Sequence, residues 1–85
     1  MKTFTHTIAN PNGLHGRPAM ELTEAVRELD SAVTVCKGDK CAGADRLMAL
    51  MTLGAAQGDT VTVTVEGGDE ARSFEVLKRY FEQHL

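Results

Sequence analysis

Within the stretch NGLHGRPAM, residues 12–20, a histidine and an arginine stand two positions apart, beside a glycine and a proline. A neutral imidazole is a nucleophile, and a guanidinium matches phosphate oxygens in both charge and geometry. Pro18 fits the first turn of a helix, where its missing N–H costs nothing. A helix start near Gly16 follows, with His15 expected at the N-cap. The free N–H groups and the macrodipole of a helix start favour an anion. His15 is therefore a candidate phosphoryl acceptor and Arg17 its stabiliser, while Gly16 leaves room for the incoming group. The pairing alone is not specific, because a histidine at a helix start is more often a solvated cap.

The other residues able to do chemistry promise less. His6 shares strand parity with Phe4 and Ile8, which suits a partly buried structural histidine. His84 stands next to Leu85 and is expected in solvent. No His, Cys, Asp or Glu set has a recognised metal-ligand spacing, so neither a metal nor a cofactor is expected. With Gly38-Asp39 as a two-residue turn, Lys37 faces Lys40 and Cys36 faces Cys41. Opposed residues lie ~4.5–5.5 Å apart at Cα, within the ~4.4–6.8 Å that disulfides span. A bridge is geometrically accessible, yet two cysteines are no framework, and reduced thiols are the expectation in a reducing compartment.

Regular elements must hold the candidate turn. Phe4, His6 and Ile8 alternate with threonines, the period of a half-buried strand, and NPNG ends it with turn residues. From Pro18 to Leu29, Ala19, Leu22, Ala25, Val26 and Leu29 recur at helical steps. SAVTVCKGDKCAG reads as a hairpin with Val33 and Val35 on one face. ADRLMALMTLG reads as a short apolar helix, with Asp45 as N-cap and Gly54 just past its end. TVTVTVE is a strand with valines on one face and threonines on the other. The last segment is a helix capped by Asp69 and favoured by Glu70 in its first turn. Ala71, Phe74, Leu77 and Phe81 are its expected buried stripe.

The order is thus β-α-β-β-α-β-α. Strands with one apolar and one threonine-rich face imply an antiparallel sheet covered on one side, an open-faced two-layer α+β sandwich. The 85 residues suit a single domain, 1–85, and no repeat or linker interrupts them. A net charge of −3, with Lys and Arg scattered and never in a run, gives no reason to expect nucleic acid or an anionic membrane as partner, because both require basic patches. No apolar run nears the ~20 residues of a membrane helix, and the first residues lack a signal-peptide core. A soluble, cytoplasmic monomer is expected.

NPNGLHGRPAM after the first strand, LMALMTLGAAQGDTVTVTVEGGDE later, and the element order together resemble the HPr family. These are histidine-containing phosphocarriers of the phosphoenolpyruvate-dependent sugar phosphotransferase system. The resemblance spans essentially the whole chain. It implies a four-stranded antiparallel sheet of order 1-4-2-3 with three helices on one face. It further implies that His15 accepts a phosphoryl group through Nδ1 from phosphorylated enzyme I and passes it to a IIA component. Arg17 would stabilise the phosphorylated ring. Such a chain is a carrier and not a stand-alone enzyme.

Leu47, Met48, Leu50, Met51 and Leu53 exceed what one core-facing stripe needs. By the resemblance, Leu47, Met48 and Met51, joined by Met20, form a partner-docking patch in which flexible thioethers adapt to different surfaces. Two departures from the family pattern stand out. Arg46 occupies the position of a regulatory serine, so a kinase that phosphorylates a serine hydroxyl has no acceptor there; Thr52 and Ser73 are hydroxyls with nothing to mark them as substitutes. Arg46 is expected near the His15 face, where it alters docking preference. Gly16 replaces a common alanine, a mild change in helix propensity. The competing function is a regulatory docking module on the same fold that binds partners without phosphate turnover. A small-ligand-binding domain is weaker, because no pocket chemistry is visible beyond the turn.

Overall fold

The computed structural model describes all residues, Met1–Leu85. The elements run β1 (Lys2–Thr7), α1 (Arg17–Arg27), β2 (Ala32–Lys37), β3 (Lys40–Gly43), α2 (Leu47–Thr52), β4 (Thr60–Glu66) and α3 (Glu70–His84). That is the expected order. The strands form one antiparallel sheet, β1-β4-β2-β3, with the three helices on one face.

Register follows from the alternation. Phe4 pairs with Val63, and Val63 with Val35, so these apolar side chains form one row across the covered face. One step along, Thr3, Thr64 and Thr34 form the matching row on the open face. A slip of one residue would turn the valines to water. The Thr7 and Thr60 hydroxyls, 2.9 Å apart, mark the end of the β1–β4 pairing.

The core is a cluster of 19 buried apolar residues between sheet and helices. Phe81 is its largest fully buried side chain and meets the rings of Phe4 and His6 edge-on, at 5.6 and 5.4 Å. His6 is half-buried there, as its parity implies. On α1, Ala19, Leu22 and Val26 are buried, with Ala25 at the margin; the helix ends at Arg27, and Leu29, expected within it, lies half-buried just beyond.

On α3 the buried face differs from the expected stripe. Ala71 is exposed, and Ser73 takes the inward place, in line with Leu77 and Phe81 at successive four-residue steps. Phe74 sits at the edge, packing on Phe4 at 5.4 Å. A buried serine is tolerable because its hydroxyl lies 2.7 Å from that of Ser31, which in turn donates to the Gly67 carbonyl at 2.6 Å.

Caps divide the same way. Asp69 caps α3 as expected, accepting from the Arg72 N–H at 3.2 Å. Gly54, at φ +67°, follows the C-cap Leu53 of α2. Asp45, however, is not the N-cap of α2. That place belongs to Arg46, which offers no side-chain cap, and the Asp45 carbonyl instead accepts from Arg27 Nη2 at 3.0 Å. The end of α1 therefore fastens the start of α2.

The expectation of reduced thiols is also corrected. Cys36 and Cys41 are joined by a disulfide across the β2–β3 hairpin. A two-residue turn makes Lys37–Lys40 the closing pair and puts the cysteines at the next pair, where opposed side chains approach most closely.

Candidate functional site

The loop from β1 to α1 is pinned before it reaches His15. The Ile8 N–H donates to the Asp59 carbonyl at 2.8 Å, and the Asn12 N–H to its neighbour Asn10 Oδ1 at 2.9 Å. Gly13, at φ +68°, runs against the chain after α2, where a Cβ would stand 2.5 Å from the Ala55 carbonyl oxygen. Leu14 is fully buried, and its N–H donates to that same carbonyl at 2.9 Å. Glycine at 13 is thus required by close approach. Leu14 is the anchor from which the next residues project.

His15, Gly16 and Arg17 are exposed, and neither the imidazole nor the guanidinium has a hydrogen-bond partner in the chain. The N-cap is Gly16 and not His15, which stands one residue ahead of it. The cause is backbone geometry: Gly16 has φ +59° and ψ −127°, so the chain turns there and helical geometry begins only at Arg17. Glycine at 16 therefore sets the turn and is more than a mild change in helix propensity.

This arrangement leaves the main chain open around the ring. The Gly16 carbonyl accepts from the Met20 N–H at 3.0 Å, but the N–H groups of His15, Gly16, Arg17 and Ala19 have no acceptor in the chain. Pro18 contributes none. Asn12, His15, Gly16, Arg17 and Pro18 line a shallow cleft of about 370 Å³. An anion there would meet unpaired amides and one guanidinium together. Asn12 was not singled out in the sequence; its signal is only its place in the NPNG turn, three residues ahead of His15. A larger cleft of about 410 Å³ lies between the end of α1 and the β2–β3 edge, without His15 or Arg17.

The candidate docking residues sort by exposure. Met48 is 73% exposed and Met20 48%. Leu47 and Met51 are half-buried against the core, while Leu50 and Leu53 belong to it. Arg46 is exposed at the start of α2. Ser73 is fully buried and hydrogen-bonded, and Thr52 donates to the Met48 carbonyl of its own helix at 2.8 Å. His84 is exposed, with its ring 4.6 Å from that of Tyr80.

Fold and turn together define a class: an open-faced α+β sandwich that displays an unpaired histidine and arginine at a helix start. Comparison with known proteins narrows it. The family described as "PTS HPr component phosphorylation site" matches residues 2–83. The chain is 38% identical over 77 residues to the phosphocarrier protein HPr of Lysinibacillus sphaericus, covering 91% of this chain and 88% of that one. It is 42% identical over 66 residues to a multiphosphoryl transfer protein of Xanthomonas campestris pv. campestris; this covers 78% of the chain but only 8% of that much longer relative. A crystal structure of HPr from Thermoanaerobacter tengcongensis superposes with a TM-score of 0.91 at 35% identity, over 96% of this chain and 92% of that one. The chain belongs to the HPr family, the phosphocarrier proteins of the phosphotransferase system.

Proposed function

We propose that His15 is the phosphoryl acceptor of this carrier, with Arg17 and the open amides around Gly16 holding the transferred group. The observation that carries this reading is the set of unpaired N–H groups at His15, Gly16, Arg17 and Ala19, beside an exposed imidazole. Donors without acceptors at a helix start are ready for phosphate oxygens and need no rearrangement. The ring attacks phosphorus, and the bond to the donor's leaving group breaks; the resulting phosphohistidine is the substrate for the next transfer. Nothing in the open cleft retains the phosphate beyond these contacts, as suits a group that must leave again.

The donor in this reading is phosphorylated enzyme I, and the acceptors are IIA components. Both meet the apolar patch of Met20, Leu47, Met48 and Met51, with Arg46 adding a positive charge at its border. The chain acts as a monomeric, cytoplasmic carrier domain spanning residues 1–85 and does not turn over substrate alone. No helix is long and apolar enough to cross a membrane.

Incubation with enzyme I and labelled phosphoenolpyruvate tests the assignment. An acid-labile, base-stable phosphate should appear on the native chain and be absent from His15→Ala. Labelling that persists in His15→Ala would overturn it.

A further inference from the structure

The end of α3 holds the His15 loop on both flanks. On the entry side, the Asn10 N–H donates to the Leu85 main-chain oxygen at 3.1 Å, and Asn10 Nδ2 to the His84 carbonyl at 3.0 Å. On the exit side, the Tyr80 hydroxyl donates to the Pro18 carbonyl at 2.9 Å, with Glu21 Oε1 farther off at 3.4 Å. Between the buried Leu14 and this bond, no side chain fastens the turn: His15 and Arg17 have no partners. The Tyr80–Pro18 bond is thus the first side-chain tie after the ring, one residue beyond Arg17.

We propose that Tyr80 is a positioning residue for phosphoryl transfer, fixing the first turn of α1 so that Arg17 and the free amides keep their aim. The phenol suits the task. It is half-buried, its ring stacks near His84 at 4.6 Å, and it crosses Phe81 at 6.4 Å, so its orientation is set by packing. Burial, and then the nearby Glu21 carboxylate, push its pKa up to about 12, so the donated proton stays in place throughout the physiological range. A first turn whose amide donors must meet a phosphate within a few tenths of an ångström gains directly from such a clamp. Tyr80 reaches the reaction only through Pro18 and Arg17.

This inference rests on His15 being the acceptor, and Tyr80→Phe is its test because it removes one oxygen and keeps the ring. Steady-state phosphorylation by enzyme I, with the carrier as substrate, should show kcat reduced about fivefold, the worth of one neutral hydrogen bond. KM should stay within about twofold, since the docking patch is untouched. Amide hydrogen exchange at Met20, whose N–H closes the first turn, should accelerate by a similar factor, about fivefold. Glu21→Gln, which leaves the Tyr80–Pro18 bond intact, should change neither readout. Wild-type kcat or wild-type Met20 exchange in Tyr80→Phe would overturn the role, whatever the change in thermal stability. Labelling that survives His15→Ala would instead sink the acceptor assignment, and the exchange measurement needs no phosphate to be read.

Discussion

Lys37 Nζ lies 3.0 Å from Asp59 Oδ2 and also donates to the Gly54 carbonyl at 3.0 Å. One lysine at the end of β2 thus joins the chain leaving α2 to the chain entering β4. Asp59 further accepts from the Ala56 N–H at 2.9 Å. The Ala56 amide first, and the Lys37 ammonium second, hold the Asp59 carboxyl below its ordinary 3.8. A carboxyl with a depressed folded pKa adds stability above its unfolded pKa and loses it as pH falls through the folded value. Asp59→Asn should therefore lower the urea midpoint at neutral pH. The gap from wild type should close as the pH falls through the depressed folded-state value of Asp59, below which both chains carry an uncharged group. A gap that is unchanged by acid would refute the ionic contribution.

The buried hydroxyl pair gives an asymmetric prediction. Ser31 donates to the Gly67 carbonyl, so it must accept from Ser73. Ser31→Ala strips partners from two groups, and Ser73→Ala from one. The first should cost about 2 kcal/mol and the second about 1 kcal/mol, read from denaturant unfolding. Equal costs would mean that the two hydroxyls do not act as this relay. The 1% exposure of Ser73 also makes it a poor modification target in the folded chain.

The Cys36–Cys41 bridge closes a very short loop, with a sequence separation of 5. Loop-closure entropy for such a ring gives a stabilisation of about 2 kcal/mol. Reductant should lower wild-type stability by that amount and leave the Cys36→Ser, Cys41→Ser double variant unmoved. Intact mass should rise by two hydrogen atoms on reduction, as the reductant supplies two electrons and each sulfur takes up a proton. An unchanged mass would mean that no bridge forms in solution.

Met48, at 73% exposure, makes little contribution to the core and is available to a partner. Met48→Asp should leave thermal stability within about 0.5 kcal/mol of wild type. It should raise KM for phosphorylation by enzyme I about tenfold, the scale of one interface hot spot. A KM equal to that of the native chain would remove Met48 from the docking surface.

Much of this molecule is legible in its residues, for identifiable reasons. TVTVTVE and the Phe4–Ile8 alternation specify which face of the sheet is covered, because strand period is rigid and one slip is costly. The helix starts were harder. Asp45 has the right chemistry for a cap, yet the helix starts one residue later, with Arg46 in the cap position. Arg27 holds the Asp45 main-chain carbonyl from 18 positions away, a contact no local pattern encodes. Gly16 could take either side of the φ map, so only the folded chain shows that it, and not His15, is the turning residue. Ala71 and Ser73 exchanged expected roles because a serine can be buried once a partner hydroxyl is supplied from residue 31. Type and spacing single out His15 and Arg17 as candidates, and the folded chain leaves both exposed and without partners. The Tyr80–Pro18 bond has no local signal, since it spans 62 positions.

The absence of walls around His15 sets the rhythm of the carrier. With His15 as the proposed acceptor, a ring exposed on a shallow cleft offers half of a reaction chamber, and each docking partner would bring the other half. If donor and acceptor both approach His15, as proposed, they need the same face of the same small turn and cannot be seated together. On this reading the chain is a shuttle and not a bridge: every delivery begins with a departure, and release of one partner limits how soon the next can be served.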